Sequence, residues 1–259
     1  AITGATGEDL QNLTELARDM GATTAHSATA AAEGIQFLGM AGLDTDQIMA
    51  SLPGTLSLAS AAGMELGQAA DISTNILSGM GMAVSELDTV VDKLAQASRS
   101  SNTDVIQMGE AFKMVGPTAS AAGVSFDDTA TALGLLASAG QAGSIGGSSL
   151  NSALRAMLAP SKAAEQEAAK LGLTFVDTNG KMLPMTNILQ QLDDKSVSTK
   201  QSFEIFGTEG ARAINSLRNQ GVSAFTALDK KIKESGGVAE DMAKTRLGSF
   251  DGAMKMLSS

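Results

Sequence analysis

The chain has 259 residues and a formal net charge of −10, a length that suits one large domain or two of ordinary size. Hydrophobic residues make up 43%, enough to bury a core, while Cys, Trp and Tyr are absent and His26 is the one histidine. These counts exclude disulfides, thiolate metal sites, Cys nucleophiles and sites that need two imidazoles. The acidic balance argues against nucleic-acid binding, because neutralising phosphates takes clustered Lys and Arg.

Four corners of one kind punctuate the first half of the chain and predict a stack of short helices. In each corner a helix ends in glycine, an apolar stretch follows, and an acidic or hydroxyl residue comes next. Glycine takes the left-handed conformation that closes a helix, and the polar side chain can cap the next one. The corners are Ala41–Asp44, Ala62–Glu65, Gly81–Ser85 and Ala122–Ser125.

Apolar residues between the corners recur at helical spacing. We expect the first helix to end at Gly21 and another to follow a cap at Ser85, and we expect Pro53 and Pro117 to end or kink the helices that contain them. The apolar stripes are Leu10, Leu13, Leu16, Ala17 and Met20 in the first helix, and Leu87, Val90, Val91 and Leu94 after Ser85.

A weak internal repeat is also indicated. Ser60–Gly63 has the same sequence as Ser120–Gly123, and Ile76–Leu77 then aligns with Leu136–Ala137.

The residue pattern changes after Leu171 from helical spacing to short extended runs, and a small β-hairpin is predicted near 173–183. Leu173–Val176 is a short extended run, Asp177–Gly180 is a turn, and Lys181–Leu183 can return beside the first run. Asn-Gly between two apolar runs is a strong hairpin signal, and Pro184 ends it.

The rest of the chain is predicted to be helical, so the fold class is mainly α, a stack of short helices with Gly corners in two helical lobes. Helices are expected over Ser198–Phe206, Gly210–Asn219 and Val222–Glu234, with a hinge at Gly236–Gly237 before a last helix from Val238. The predicted parts are a lobe over 1–170, the hairpin connection 171–185, a second lobe over 186–235, and 236–259 as the start of a helix that continues into a longer protein.

Two features invite a functional interpretation that their surroundings do not support. A lone histidine such as His26, without a second ligand, is typical of a surface or capping residue. The glycine-rich run Gly143–Ser149 lacks both the lysine after its last glycine and the preceding strand of a phosphate loop. Its small residues are expected to let two helices approach closely, or to open the helix that carries Leu150, Leu154 and Leu158.

The carboxylates likewise do not form a predicted site. A calcium loop with Gly180 at its sixth position would place Phe175 as first ligand, which cannot bind a cation. The pairs Asp127–Asp128 and Asp193–Asp194 are interpreted as charge near helix ends, because adjacent carboxylates on a helix point apart. We therefore predict no catalytic, cofactor-binding or metal-binding residue, and no cofactor.

Thr129–Leu154 contains no charged residue over 26 positions, which is long enough to span a bilayer. It also contains five glycines and many serines, and its helical pattern breaks near Gly140. We expect a buried core of small residues, with a membrane role after a conformational change as the alternative.

The order and spacing of a set of short segments carry a family resemblance, densest from Val90 to Pro160. The segments are Val91–Ala97, Asn102–Val105, Gly116–Ala119, Ala122–Ala130, Leu135–Gly140, Gly147–Leu154 and Leu158–Pro160, with weaker ones at Ala41–Leu43, Leu58–Ala61, Leu171–Leu173, Asp177–Lys181 and Ile205–Gly207. Together they resemble the core region of phage tail tape measure proteins, over most of the chain.

The resemblance implies a long, mostly helical parent inside the tail of a long-tailed phage or prophage-derived particle. Such a protein sets tail length, nucleates tail tube assembly at the tail tip and takes part in DNA ejection through the host envelope. The implied partners are tail tube and tail tip (baseplate) proteins and tail assembly chaperones. A homo-oligomer, with a trimer suggested by tail-tip symmetry, and host membrane contact after ejection are also implied, but no enzymatic activity.

The corners and the hairpin predict that this segment is a compact module near one end of the long parent protein that sets tail length. An α-helix advances about 1.5 Å per residue, and a chain that turns back repeatedly gives up most of that length. The alternative is a membrane-active helical module that inserts during ejection. A peptidoglycan-cleaving domain is disfavoured, because sugar clefts usually present the Trp or Tyr platforms that this sequence lacks.

Overall fold

A computed structural model of the protein describes residues 7–24 and 26–257. These residues form α-helices and one 3-10 turn (Val84–Glu86) without a β-strand among them, which confirms the mainly α prediction. The helices are α1 (Glu8–Thr23), α2 (Ala28–Met40), α3 (Thr45–Ala62), α4 (Leu66–Met80), α5 (Leu87–Ser100), α6 (Val105–Ala122), α7 (Phe126–Ser138), α8 (Gly143–Leu158), α9 (Lys162–Leu171), α10 (Met185–Asp194), α11 (Thr199–Gln220), α12 (Val222–Lys233) and α13 (Val238–Leu257). The predicted helical residues Ser258 and Ser259 lie outside the described residues.

The described residues divide into two compact units. Among the described residues, the first unit draws on 7–24, 26–78, 82–96 and 235–257, and the second on 79–81 and 97–234. Residues that the sequence analysis assigned to three successive parts, from 97 to 234, thus belong to one compact unit.

Local capping interactions set many of the helix ends. The Asp44 carboxylate accepts a hydrogen bond from Gln47 N–H while the Gln47 side chain accepts from Asp44 N–H, at 2.9 and 3.0 Å. Ser125 Oγ accepts from Asp128 N–H at 3.0 Å. Gly63 and Gly123 end α3 and α6 in the left-handed conformation, which costs a glycine little because it has no Cβ.

Two predicted helix ends are wrong. Gly21 lies inside α1, which continues to Thr23. A Cβ placed on Gly21 would lie 2.8 Å from Ala28 Cα. This glycine therefore lets the start of α2 pack closely against α1 and does not end α1. Ser85 is not a cap but lies within the 3-10 turn before α5, where the Glu86 carboxylate accepts from Ala83 N–H at 2.9 Å.

Neither proline ends its helix, because burial maintains the helix on both sides. Pro53 lies inside α3 and Pro117 inside α6. A proline in a helix interior costs about 3 kcal/mol. Fully buried side chains such as Leu52, Leu56 and Val115 surround the two sites, and each contributes on the order of 1.5–3 kcal/mol.

The predicted β-hairpin near 173–183 is not present as two paired strands. The structure has one isolated antiparallel bridge, between Val176 and Met182. Two backbone hydrogen bonds of 2.8 Å flank it, from Asp177 N–H to Lys181 O and from Leu183 N–H to Phe175 O.

Competing hydrogen bonds explain why the ladder stops there. Met182 N–H donates to Ala122 O at the end of α6, at 3.0 Å, and Pro184 has no N–H to donate. The Asp177 carboxylate accepts from Asn179 N–H and Lys181 N–H, at 2.8 and 2.9 Å. The segment is therefore a tight turn tied to a helix end.

In the second unit, α8 packs between α6 and α11 through small residues. A Cβ placed on Gly147 of α8 would lie 2.7 Å from Ala111 Cα in α6, and one on Gly210 of α11 would lie 3.0 Å from Ala153 Cα in α8. Only glycine allows backbones to approach so closely. This agrees with the expectation that the glycine-rich run lets helices approach.

Gly207 interrupts α11, with φ 68° and ψ −179°. The sequence pattern predicted one helix that ends at Phe206 and another that begins at Gly210, and the non-helical glycine lies between them.

The uncharged stretch Thr129–Leu154 forms α7 and α8, joined by a turn at Gly140. Phe126 and the nine consecutive residues from Thr129 to Ala137 are buried in α7, and its two acidic residues lie between them in the first turn. Within residues 7–24 and 26–257, no helix combines the length and the apolar character that a membrane crossing requires.

In the first unit, α1, α2 and α3 pack against one another and α13 packs on α3. Close contacts also join α2 to α4: a Cβ on Gly67 would lie 2.9 Å from the Phe37 ring, and one on Gly34 would lie 2.9 Å from a Leu66 methyl group.

Replacing Gly147 tests the close approach of α6 and α8. We expect Gly147→Ala to lower the free energy of unfolding by about 1–3 kcal/mol, because backbone atoms cannot rotate away from the added methyl group. Gly248→Ala is the matched control, since a Cβ on this helical glycine meets nothing within 4 Å and should be neutral or stabilise by up to about 1 kcal/mol. Urea unfolding of both variants measures the difference, and equal stabilities would contradict the packing.

Candidate functional site

His26 lies half-buried beside a cavity of about 410 Å³ in the first unit. His26 Nε2 is 2.6 Å from Ser60 Oγ and 3.2 Å from Leu56 O. Both oxygens lie within hydrogen-bonding distance of Nε2, and the imidazole tautomer decides whether this nitrogen donates or accepts.

The cavity beside His26 is lined mainly by apolar and hydroxyl side chains of α1 and α3, with one charged pair from α13. Glu240 and Lys244 form that pair, 2.5 Å apart, one helical turn from each other. Because each charge has its partner, the geometry is that of a helix-packing gap with a satisfied surface ion pair.

The N-terminus of α8 carries a carboxylate where a phosphate loop would bind an anion. The Glu110 carboxylate lies 3.0 Å from a Cβ placed on Gly143, the first residue of α8, and no side chain caps this helix end. A negative side chain here interacts favourably with the helix dipole, and it opposes a bound phosphate.

The acidic pair Asp127–Asp128 lies in the first turn of α7, as predicted for charge near a helix end, and faces α12. Asp229 of α12 pairs with Lys233 at 2.6 Å. Burial, and then the Asp229 and Asp127 carboxylates, raise the pKa of Asp128, while Lys233 lowers it. The arrangement is a partly compensated charge cluster between two helices.

The second acidic pair ends α10, where a carboxylate opposes the helix dipole. Arg218 of α11 compensates it: its Nε donates to Asp193 Oδ1 at 2.9 Å, and its other nitrogens donate to Val197 O and Leu192 O at 2.8 and 3.3 Å. Arg218 thereby closes the end of a helix distant in sequence. The sequence analysis did not identify this role, because no local pattern links the two segments.

Asp92 of α5 is a second residue that the sequence analysis missed. Its carboxylate accepts from Gly237 N–H at 2.7 Å and from Ala239 N–H at 2.9 Å, at the start of α13. The neighbouring Asp88 is partly buried, and burial followed by the Asp92 charge raises its pKa. The sequence offered one hint of this role: Gly236–Gly237 provides α13 with no local cap, so a cap from elsewhere in the chain could be expected.

The carboxylates and the histidine do not combine into a metal site in the part of the chain that the structure describes. Asp177 accepts backbone N–H groups within its own turn, and these hydrogen bonds lower its pKa. Each singled-out polar residue thus has an identified structural role in capping, turn formation or charge compensation.

The charge cluster predicts a pH-dependent stability. A pKa above the ordinary value of 3.8 in the folded state means that stability is lost as pH rises through that pKa. We expect Asp128→Asn to raise the free energy of unfolding at pH 7 by up to about 1 kcal/mol, with the gain vanishing at low pH, where both states bind the proton.

Asp46→Asn is the control for this measurement. Asp46 is exposed in the first turn of α3, so its loss removes only a dipole interaction of about 0.3–1 kcal/mol and should destabilise at pH 7. Urea unfolding at both pH values tests the pair, and a gain from Asp128→Asn that persists at low pH would refute the charge explanation.

Removing the Asp92 carboxylate should release the start of α13. A helix cap contributes about 0.5–2 kcal/mol, so in Asp92→Ala the amides of 238–246 should exchange hydrogen faster than in the parent. Asp44→Ala is the control, because it removes the cap of α3 and should accelerate exchange at the start of α3 instead. Unchanged protection of α13 in Asp92→Ala would show that packing alone holds this helix.

Comparison with known proteins places these features in a family. Residues 14–208 match the model of a family described as phage-related minor tail protein. The chain is 32% identical over 251 residues to a tape measure protein of Pneumococcus phage Dp-1. The match covers 95% of this chain and 22% of that relative, so the chain spans about a fifth of the length of the curated relative.

No solved structure matches the chain. The family match covers well over half of the residues, and its range includes every segment that carries the resemblance. The chain therefore belongs to the phage-related minor tail protein family, and almost its whole length is similar to a segment of a phage tape measure protein.

Proposed function

We propose that this chain is a compact helical module of a tape measure protein that works in tail-tip assembly and DNA ejection. The observation that supports the proposal is the packing of short helices around α8, where Gly147 and Gly210 bring three helices into backbone contact. Residues in helices that pack side by side widen the bundle, but they do not add to the length of protein that spans the tail tube. The length-setting role then belongs mainly to other parts of the parent protein.

Helix dimensions put numbers on this argument. An 18-residue helix such as α3 or α6 is about 27 Å long, whereas a continuous helix of 60 residues would reach about 90 Å. Since α3 and α6 each end at a left-handed glycine, the chain changes direction after roughly one such length.

The proposed partners are those of a module at the tail tip. Tail tube and baseplate proteins would contact its exposed helix faces, tail assembly chaperones would hold the parent before the tube forms, and copies of the parent would associate, as a trimer if they follow tip symmetry. The module would lie in the tube lumen or at the tip and meet the host envelope after ejection.

Ejection through a narrow tube requires the module to unpack. Close packing through small side chains leaves little volume to rearrange when helices separate, and the methionine-rich composition, with 14 Met, suits repacking. Unpacking would expose the uncharged α7–α8 region, which supports membrane contact as a step that follows unfolding of the second unit.

In-frame deletions in the parent gene, with tail lengths measured by electron microscopy, test the proposal. We expect deletion of 66–125 to leave tail length unchanged and infection impaired. The control is an equally long deletion in the helical remainder of the parent, which should shorten tails by about 90 Å, at about 1.5 Å per residue.

Shortening by the same amount on deletion of 66–125 would identify the segment as extended ruler and overturn the compact-module proposal. If the parent protein lacking 66–125 is soluble but no tails form, the module acts in the initiation of tail assembly.

A further inference from the structure

The turn Asp177–Gly180 contains the Asn-Gly pair that predicted a hairpin, and this pair has a chemistry of its own. Asn179 is the one asparagine of the sequence that a glycine follows. Because glycine has no Cβ, nothing on that residue shields its backbone nitrogen from the asparagine side chain. The nitrogen of Gly180 can therefore reach Cγ of Asn179 and displace the side-chain amide as ammonia.

The turn is open to water and is not held by packing. All five residues from 177 to 181 are exposed, and a Cβ placed on Gly180 would meet nothing within 4 Å. Since no neighbouring side chain presses on the glycine, hydrogen bonds fix the conformation of the Asn-Gly pair. Their strength then decides how often the pair reaches a reactive geometry.

Asp177 is the acceptor for those hydrogen bonds. Its carboxylate accepts from Asn179 N–H at 2.8 Å and from Lys181 N–H at 2.9 Å. Its carbonyl oxygen accepts from Gly180 N–H at 3.0 Å. One residue thus binds the backbone N–H groups of all three positions from 179 to 181.

The hydrogen bond from Gly180 N–H opposes the displacement directly. The attacking nitrogen must lose its proton and turn toward the Asn179 side chain, and both changes break its hydrogen bond to Asp177 O. The carboxylate restrains the same peptide unit from its other end. Hydrogen bonds, that from Lys181 N–H first, lower the pKa of Asp177, so this carboxylate is ionised at neutral pH and its hydrogen bonds are charge-assisted.

We propose that Asn179 is a site of spontaneous deamidation and that Asp177 slows the reaction while the turn is intact. The Gly180 nitrogen bonds to Cγ of Asn179, the Cγ–Nδ2 bond breaks, and the proton of the nitrogen leaves with the amide as ammonia. A cyclic succinimide remains. Water then opens this ring at either carbonyl carbon, which yields aspartate or isoaspartate at the position, and no oxidant or reductant is consumed.

Either product weakens the turn that restrained the reaction. A second carboxylate arises beside Asp177, and like charges this close repel each other. Isoaspartate also adds a methylene group to the backbone, which shifts Lys181 N–H relative to the Asp177 carboxylate. Because Met182 N–H donates to Ala122 O, the change reaches the end of α6.

Mass spectrometry of the intact chain, aged in mildly alkaline buffer, measures the reaction. Samples are taken over time, digested briefly at acidic pH, and analysed for the amide-to-acid mass change in the peptide that contains Asn179. We expect a slow reaction in the folded chain and a faster one in urea, because unfolding removes the hydrogen bonds of the turn.

The test variant is Asp177→Ala, and the matched control is Thr178→Ala, since Thr178 is exposed in the same turn. We expect Asp177→Ala to raise the folded-state rate about tenfold, equivalent to about 1.4 kcal/mol of activation free energy, and Thr178→Ala to leave it unchanged. Asp177→Asn keeps an acceptor oxygen without the charge and should give an intermediate rate. In urea all four chains should react equally fast.

Circular dichroism verifies that the variants fold, and the comparison of the parent in buffer and in urea needs no variant. Equal rates of the parent in both conditions would show that the turn does not restrain the reaction. Equal folded-state rates of the parent and Asp177→Ala would remove Asp177 as the restraint, and an unreacted Asn179 in urea would remove the site itself.

Two further asparagines provide internal references. Asn151 in α8 and Asn215 in α11 are each followed by serine, and the helices hold their backbones away from the reactive geometry. We expect both to stay intact in the folded chain while Asn179 reacts. Reaction at these helical sites as fast as at Asn179 would attribute the loss to unfolding of the whole unit and overturn the control by the turn.

Discussion

The close approach of helix backbones at small residues is the constraint on which the second unit depends. Gly147 against Ala111 and Gly210 against Ala153 bring α6 and α11 onto different faces of α8. A chain without Trp or Tyr and with only eight Phe cannot fill wide gaps between helices with large rings. Its core therefore depends on many short-range contacts between backbones and small side chains, each weak alone but additive over the length of a helix.

Helix ends in this protein are stabilised in two ways. Local caps such as Asp44 and Ser125 lie within three residues of the N–H groups that they satisfy, so they form as soon as the helix does. Distant caps connect separate segments: Asp92 holds the start of α13, and Arg218 closes α10. Because a distant cap exists only when its two segments are packed, these residues couple helix ends to the tertiary fold.

These two properties suit a structural role in a phage tail. At their closest points the helices of the second unit meet through glycine and alanine, while larger side chains such as Phe112 and Leu150 fill the rest of its core. In the first unit, His26 contacts Leu56 O and Ser60, and the Asp92 carboxylate near α13 accepts backbone hydrogen bonds, so contacts within the fold occupy both.

The sequence by itself determined the helical class, the family and those helix ends that depend on neighbouring residues. Asp44, Gly63, Gly123 and Ser125 act locally, and the break near Gly207 needs only the freedom of a glycine, so periodicity and turn chemistry suffice. Only the tertiary structure decided that α3 and α6 continue through their prolines, because burial offsets the missing hydrogen bond. It also decided that Met182 donates to Ala122 instead of extending a hairpin, and that Arg218 and Asp92 cap distant helices. These outcomes depend on contacts between residues far apart in the chain, which no local pattern encodes.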